Sequence, residues 1–186
     1  MEEVDRLDAM IARLLYFARP ISLQIESVAV GELCCTVAAS WKERALPVIV
    51  SCVPAPGLML DGDRSRLVQI LDNLVENAVE SAASYSGTQG TVLIEARQEQ
   101  NAIRISVLDN GAGFEELALK HALDPFFTTR ANGTGLGLSI ASELVQAHNG
   151  ELRLQASPQG GAVVSVCFPI GASAMKRLND QEIFRG

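Results

Sequence analysis

Histidine and cysteine, the side chains that most often hold structural metal ions, are scarce in this sequence. It contains 2 histidines and 4 cysteines, and no two cysteines have the C-x-x-C spacing that is typical of zinc sites. The sequence therefore argues against a structural zinc site. We expect the four cysteines to be reduced thiols, as is usual in a cytosolic protein; they are Cys34, Cys35, Cys52 and Cys167.

Basic residues and long apolar runs are also lacking. The 15 lysines and arginines are outnumbered by 22 aspartates and glutamates, which gives a formal net charge of −7. Because nucleic-acid binding usually needs a basic surface, this balance argues against a nucleic-acid partner. The sequence has no apolar run long enough to span a bilayer and no signal peptide. These absences predict a cytoplasmic location, in a full-length protein that is either free or associated with a membrane.

The patterns that are present are typical of a globular domain that mixes helices with hairpin-connected strands. Apolar residues at helical spacing predict helices in residues 1–20, 32–44, 63–84 and 136–147. Alternating apolar and polar residues predict strands at residues 21–29, 48–53, 58–60, 91–98, 103–108, 150–156 and 162–168. This order predicts an α+β fold with one mixed sheet and helices on one face.

The chain divides into three parts: a first helix in residues 1–20, one domain in residues 21–170 and a polar tail in residues 171–186. The apolar residues of the first helix form a narrow seam that recurs every three or four positions. A seam this narrow favours packing on a partner over packing on the chain's own domain.

Two glycine-rich motifs and a carboxylate predict a nucleotide site. The sequence 109–113 reads Asp-Asn-Gly-Ala-Gly, the aromatic pair Phe126-Phe127 follows, and the sequence 133–137 reads Gly-Thr-Gly-Leu-Gly before a predicted helix. A carboxylate can accept a hydrogen bond from a base amino group. Glycines allow the backbone to come close to phosphate oxygens and to point N–H groups at them.

Two asparagines on the longest predicted helix suggest a metal site beside these motifs. Asn73 and Asn77 are one helical turn apart and therefore share a face. Two amide oxygens at the edge of the core are suitable ligands for a hydrated Mg²⁺ that also contacts phosphates. The alternative is that the two side chains only form local hydrogen bonds, but a pair followed by glycine turns favours the functional interpretation.

Taken in order, these motifs resemble the N, G1, F and G2 boxes of sensor histidine kinases, whose ATP-binding domain belongs to the GHKL superfamily. The resemblance covers roughly residues 32–169 and is greatest to sensor kinases of the nitrogen-regulation type, which also have a short lid. It implies a Bergerat-type two-layer α/β sandwich with a mixed, mostly antiparallel sheet. The boxes are Asn73-x-x-x-Asn77-Ala78, Asp109-x-Gly111-x-Gly113, Asp124-Pro125-Phe126-Phe127 and Gly133-Thr134-Gly135-Leu136-Gly137.

The resemblance also implies a role for each box. Asp109 would accept the adenine amino group of ATP, and Gly111 and Gly113 would pass over the base. Asn77 would bind Mg²⁺, with Asn73 beside it. The backbone of residues 133–137 would face the phosphates and form the hinge of the lid, which includes Thr134 and the start of the helix at Leu136.

Three further residues have less certain roles. Phe126 and Phe127 would anchor the lid and meet the acceptor domain, although core packing is an equally good interpretation for one of the two. Arg130 lies in the implied lid, where either contact with the γ-phosphate or simple solvation is plausible. Near the last strand, Gly161-Ala162-Val163 departs from the Gly-Thr-Thr that is common in the family, so a hydroxyl of the usual adenine water network is missing.

The implied activity is phosphoryl transfer from Mg-ATP to a histidine on a dimerisation (DHp) domain. Neither His121 nor His148 lies in the His-Glu or His-Asp motif of an acceptor helix, so the sequence resembles a catalytic domain with the end of the second dimerisation helix. The implied partners are the DHp acceptor domain of the same kinase and a response regulator, in a full-length homodimer.

Two other functions remain open. The first is ATP hydrolysis, as in the chaperone, mismatch-repair and topoisomerase members of the superfamily. Those ATPases usually have a glutamate one turn before the metal-binding asparagine, where this chain has Asn73, and an amide cannot accept the proton. Glu76 is adjacent to Asn77 and is expected to face another way. The second is a nucleotide-binding interaction module without catalytic activity.

Overall fold

The computed structural model describes residues 21–84, 89–129, 133–157 and 160–170. The predicted first helix, the C-terminal tail and Arg130 lie outside these residues. The helices are α1 (Val30–Trp41), α2 (Arg64–Ser84), α3 (Glu116–His121) and α4 (Gly137–Ala147). The strands are β1 (Glu26–Ala29), β2 (Ile49–Cys52), β3 (Met59–Gly62), β4 (Thr91–Glu99), β5 (Ala102–Asp109), β6 (Glu151–Ala156) and β7 (Ala162–Pro169).

Five strands form a mixed sheet in the order β2-β4-β5-β7-β6. Strand β2 is parallel to β4, while the β4–β5, β5–β7 and β6–β7 pairs are antiparallel. Helices α1, α2 and α4 pack against the sheet, and its apolar side chains join theirs in one core. The predicted α+β sandwich with a mostly antiparallel sheet is therefore confirmed.

The first and third strands differ from the prediction of a single sheet. Strands β1 and β3 pair antiparallel with each other, from Glu26 opposite Gly62 to Ala29 opposite Met59, and form a separate two-stranded sheet. Each has only four residues, and their pairing buries Val28 and Leu60 in the shared core. Short strands of this kind carry too little pattern to specify their partner from sequence.

Helix α2 is the longest described element and crosses the centre of the domain. Its predicted apolar stripe is buried, and Leu74 and Val75 are fully enclosed. Asp63 caps the helix, because its Oδ1 accepts a hydrogen bond from the backbone N–H of Arg66 at 3.1 Å. The indole N–H of Trp41 donates to Asp72 at 2.8 Å and ties α1 to α2.

The cysteines differ from the prediction of four reduced thiols. Cys35 on α1 and Cys52 on β2 form a disulfide, with their Cα atoms 5.4 Å apart. The packing of α1 against β2 brings the two residues together. The spacing of the cysteines in the sequence does not predict this contact. Cys34 and Cys167 are free, and burial raises the pKa of the Cys34 thiol to about 12.

None of the helices in the described residues combines the length and the apolar character needed to cross a bilayer.

Candidate functional site

A cavity of about 510 Å³ opens between α2, the ends of β5 and β7, and the segment that leads into α4. Both glycine motifs and the second asparagine contribute to its wall, although they are far apart in the sequence. The predicted site residues that line this cavity are Asn77, Asp109, Gly113, Phe127, Gly133, Thr134, Gly135 and Gly137.

Four predicted site residues do not line the cavity. Leu136 is fully buried in the core, and Gly111 packs directly against Ser81. Asn73 lies behind Asn77, close to the first residue of α4. Phe126 is 48% exposed on the surface, so the two adjacent phenylalanines separate, one towards solvent and one into the cavity wall.

Asp109 is the last residue of β5 and is almost completely buried, with 8% of its surface exposed. Its Oδ1 accepts hydrogen bonds from the backbone N–H of Gly111 at 2.8 Å and from the hydroxyl of Ser81 at 3.2 Å. The carboxylate is therefore held at the wall of the cavity by groups from a strand end and from α2.

Close backbone contacts explain the glycines that surround Asp109. A side chain at position 111 would overlap Ser81, and one at position 113 would lie 2.7 Å from the carbonyl oxygen of Gly161. Gly113 also has a φ of +76°, which non-glycine residues rarely adopt. The turn after β5 is thus pressed between α2 and the start of β7.

The two asparagines occupy different depths. The side-chain amide of Asn77 donates to the backbone carbonyl of Asn73 at 3.1 Å, and Asn77 also lines the cavity. The Nδ2 of Asn73 is buried and has no hydrogen-bond partner among the described residues. A Cβ on Gly137 would lie 3.5 Å from Asn77 Nδ2 and 3.9 Å from Asn73 Oδ1, so both amides lie under the start of α4.

The second glycine motif is tied to the aromatic pair. The backbone N–H of Phe126 donates to the carbonyl of Gly135 at 2.9 Å. Gly135 has a φ of +65°, and a side chain there would overlap the backbone of Phe126. Helix α4 starts two residues later at Gly137, without a side-chain cap on its first N–H groups. Such a helix N-terminus favours an anionic group.

Several cavity residues were not predicted from the motifs. Glu76, Glu80 and Ser81 line the cavity from α2, and Phe114 and Val164 line it from the sheet side. The expectation that Glu76 faces away from the site is wrong. Adjacent helical residues are about 100° apart around the axis, and the wall formed by α2 is wide enough to include both Glu76 and Asn77. Helical spacing from Asn77 would have identified Glu80 and Ser81.

The cavity wall is acidic. Its charged residues are Glu76, Glu80, Asp109 and Glu115, and the described lining residues include no lysine or arginine. A triphosphate would be repelled by these carboxylates unless a cation accompanied it. Among the described residues, no group of three or more histidines, cysteines or acidic residues could hold a metal alone. The wall therefore fits Mg²⁺ that arrives with phosphates, since Mg²⁺ takes few protein ligands and shares phosphate oxygens.

Comparison with known proteins identifies the class to which this fold and site belong. Residues 62–172 match the family described as histidine kinase-, DNA gyrase B- and HSP90-like ATPases, and the chain belongs to that family. The predicted superfamily is thus confirmed. The structure is similar to the catalytic domain of the histidine kinase ThkA, with a TM-score of 0.68 and 29% identity over 78% of this chain and 95% of that one.

Named relatives narrow the class to sensor kinases. The chain is 35% identical over 185 residues to the C4-dicarboxylate transport sensor protein DctB of Pseudomonas aeruginosa, covering 95% of this chain and 30% of DctB. It is 31% identical over 173 residues to the sensor histidine kinase ZraS of Klebsiella oxytoca, covering 90% of this chain and 36% of ZraS. The chain thus spans about a third of the length of these relatives.

A longer structure is also similar. Full-length ShkA in complex with AMPPNP has a TM-score of 0.76 and 29% identity, over 90% of this chain and 36% of ShkA. ThkA in complex with the response regulator protein TrrA has the same TM-score, with 26% identity over 91% of this chain and 49% of ThkA.

Proposed function

We propose that this chain is the ATP-binding catalytic domain of a sensor histidine kinase. It transfers the γ-phosphate of Mg-ATP to a histidine on a DHp acceptor domain. The observation that carries the proposal is that Asp109, Asn77 and the first residue of α4 all line one cavity. A buried carboxylate for the base and an uncapped helix start for the phosphates are the two ends of a nucleotide site.

The chain's own residues bind and orient the nucleotide. Asp109 accepts the adenine amino group, and Gly113 leaves room for the base. The N–H groups at the start of α4, together with residues 133–137, face the phosphates. Asn77, next to the start of α4, would hold the metal through its amide oxygen, with Asn73 behind it. When bound, Mg²⁺ neutralises phosphate charge that the acidic wall would otherwise repel.

No general base of this domain is required for transfer to histidine, because a neutral imidazole nitrogen is already nucleophilic. Catalysis is then mainly a matter of positioning the γ-phosphate in line with the acceptor. Phe126 is exposed and directly precedes Phe127, which lines the cavity, so it suits contact with the acceptor domain. Arg130, close to it in the sequence, is proposed to reach the γ-phosphate.

The remaining parts of the proposal concern the full-length protein. Its partners are the DHp domain of the same kinase and a response regulator, and it acts as a homodimer in the cytoplasm. The ThkA complex with the response regulator TrrA supports this kind of partner. The nitrogen-regulation subtype stays a prediction from sequence.

A second candidate function is ATP hydrolysis, which the position of Glu76 favours. Its side chain is exposed at the cavity next to Asn77, where a carboxylate can accept a proton from an attacking water. The amide at Asn73 cannot take this role. Hydrolysis by this route would be lost in Glu76→Gln, whereas transfer to histidine would persist.

Label transfer separates these functions. The chain is incubated with γ-labelled Mg-ATP and a separately supplied histidine-bearing dimerisation domain from a relative such as DctB. Acid-labile, base-stable label on that domain, absent with Asn77→Ala and with an acceptor domain whose histidine is replaced, is the expected result. Steady phosphate release without labelled acceptor would instead establish the ATPase. If neither signal appeared, a nucleotide titration would separate a binding module, which binds ATP, from a chain that does not bind it.

A further inference from the structure

The hydroxyl of Ser81 makes a contact that serine in a helix does not usually make. Serine and threonine within helices commonly donate back to a carbonyl of their own helix, and Ser84 does so, with its hydroxyl 2.8 Å from the carbonyl oxygen of Glu80. Ser81 instead donates across to Oδ1 of Asp109, 28 residues away, at 3.2 Å. This bond joins the last turn of α2 to the end of β5.

The bond from Ser81 meets a second bond at the same carboxylate oxygen. The backbone N–H of Gly111 also donates to Oδ1, at 2.8 Å. Each donor restricts the rotation of the carboxylate, and two donors from different directions restrict it more than one. Ser81 and Gly111 are themselves in close contact, because a Cβ at position 111 would overlap the Ser81 side chain. The two donors therefore support each other.

We infer that Ser81 is a positioning residue that sets the base selectivity of the site through Asp109. This inference rests on the proposed function, because it requires an adenine base against Asp109. A carboxylate held in one plane matches a single amino group on the base. A carboxylate held less firmly adapts more easily to the neighbouring N–H groups of a guanine, so selectivity for adenine falls when the Ser81 hydroxyl is removed.

The Ser81→Ala variant tests this inference. It removes one oxygen atom, and alanine has a higher helix propensity than serine, so α2 stays intact. The matched control is Ser40→Ala, which removes a serine from α1. Ser40 does not line the cavity, and its hydroxyl bonds to the carbonyl of Val37 in its own helix at 2.8 Å. The conservative variant Ser81→Thr restores a hydroxyl.

Binding to two nucleotides distinguishes positioning from general damage. Each variant is titrated with Mg-ATP and with Mg-purine riboside triphosphate, which lacks the 6-amino group that Asp109 is proposed to bind. We expect Ser81→Ala to weaken ATP binding roughly three- to tenfold, as for the loss of one hydrogen bond to a charged group, and to leave binding of the analogue within about twofold. GTP binding rises relative to ATP. Ser40→Ala behaves as wild type, and Ser81→Thr recovers part of the ATP preference.

Each contrary result has a separate meaning. Equal ATP affinity in wild type and Ser81→Ala would overturn the inference while leaving the proposed function intact. A matching loss for ATP and the analogue would also overturn it, because Ser81 would then only support the fold. If wild type bound neither nucleotide, the proposed function itself would fail.

Discussion

A side chain on Gly161 would occupy the same space as the backbone carbonyl oxygen of Asp109. Gly161 lies at the start of β7 with a φ of +84°, and its own carbonyl closely approaches Gly113. The end of β5, which carries the buried carboxylate of Asp109, is thus held in place by direct contact with the backbone of Gly161. The position of Asp109 depends on this contact as well as on its hydrogen bonds.

We therefore predict that Gly161→Ala damages both stability and nucleotide binding. The matched control is Gly160→Ala, because Gly160 also has a positive φ, of +94°, but an added Cβ there would meet no atom within 4 Å. The control should lose only about 1 kcal/mol of unfolding free energy to backbone strain, and Gly161→Ala more than about 2 kcal/mol. Urea denaturation and ATP titration measure the two effects. Similar losses in both variants would contradict an essential role for the contact with Asp109.

The fold was largely predictable because its longest elements have strong periodicity. The apolar stripe of α2 and the alternation in β4 and β5 each span many residues, and all three elements were found close to their predicted bounds. Short elements were not specified. Strands β1 and β3 each contain four residues and formed their own sheet, and the six residues of α3 carry too few apolar positions to predict a helix.

The candidate site was predictable where a motif marks each position. The carboxylate of Asp109 and the glycines around it came from local sequence, and their close contacts explain why glycine is present. The residues that were missed depend on contacts across the fold. Ser81 touches a strand end 28 positions away, and the Cys35–Cys52 bond depends on the packing of α1 against β2. Neither of these two contacts is marked by a pattern in the neighbouring sequence.

The two asparagines should differ in their effect on Mg²⁺-dependent binding. Asn77 lines the cavity, whereas Asn73 lies behind it and accepts a hydrogen bond from the Asn77 side chain at its backbone carbonyl, which Asn73→Ala retains. We predict that Asn77→Ala weakens Mg-ATP binding roughly tenfold or more, and that Asn73→Ala has a smaller effect. Replacing Mg²⁺ with EDTA should lower the ATP affinity of Asn77→Ala less than that of Asn73→Ala. If only Asn73→Ala lost the dependence of ATP binding on Mg²⁺, Asn73 rather than Asn77 would be the metal ligand.

Asp63 should make stability depend on acidic pH. Burial raises the pKa of its carboxyl group, but hydrogen bonds from the backbone of Gln24 and from Ser65 and Arg66 outweigh it and lower the pKa to about 2. Because the folded-state pKa lies below the usual value of 3.8, the stabilisation is complete above about pH 5 and is lost as the pH falls towards 2.

The Asp63→Asn variant isolates this charge, since asparagine is an equally good N-cap. We predict that it lowers the unfolding free energy by about 1–2 kcal/mol at pH 7, and that the difference from wild type shrinks steadily below about pH 4. Urea denaturation at a series of pH values measures this difference. A gap that stays constant down to pH ~2.5 would show that the charge does not contribute.

The Cys35–Cys52 disulfide should stabilise the fold without affecting the site. The two cysteines are separated by 17 positions. Closing a loop of this length lowers the conformational entropy of the unfolded chain, which stabilises the folded state by roughly 3 kcal/mol. No described residue of α1 or β2 lines the cavity. We predict that Cys35→Ser lowers the unfolding free energy by roughly 2–3 kcal/mol and leaves ATP affinity unchanged.

The control for this change is Cys167→Ser, which replaces a free cysteine and should leave the disulfide in place. A reducing agent should destabilise wild type and Cys167→Ser alike, but should have no effect on Cys35→Ser, which has no bond left to reduce. Thiol titration of the unfolded wild type without reductant should find only Cys34 and Cys167. If all four cysteines reacted and reductant left the denaturation curve unchanged, the bond would be absent in solution, and α1 would be held to β2 by packing alone.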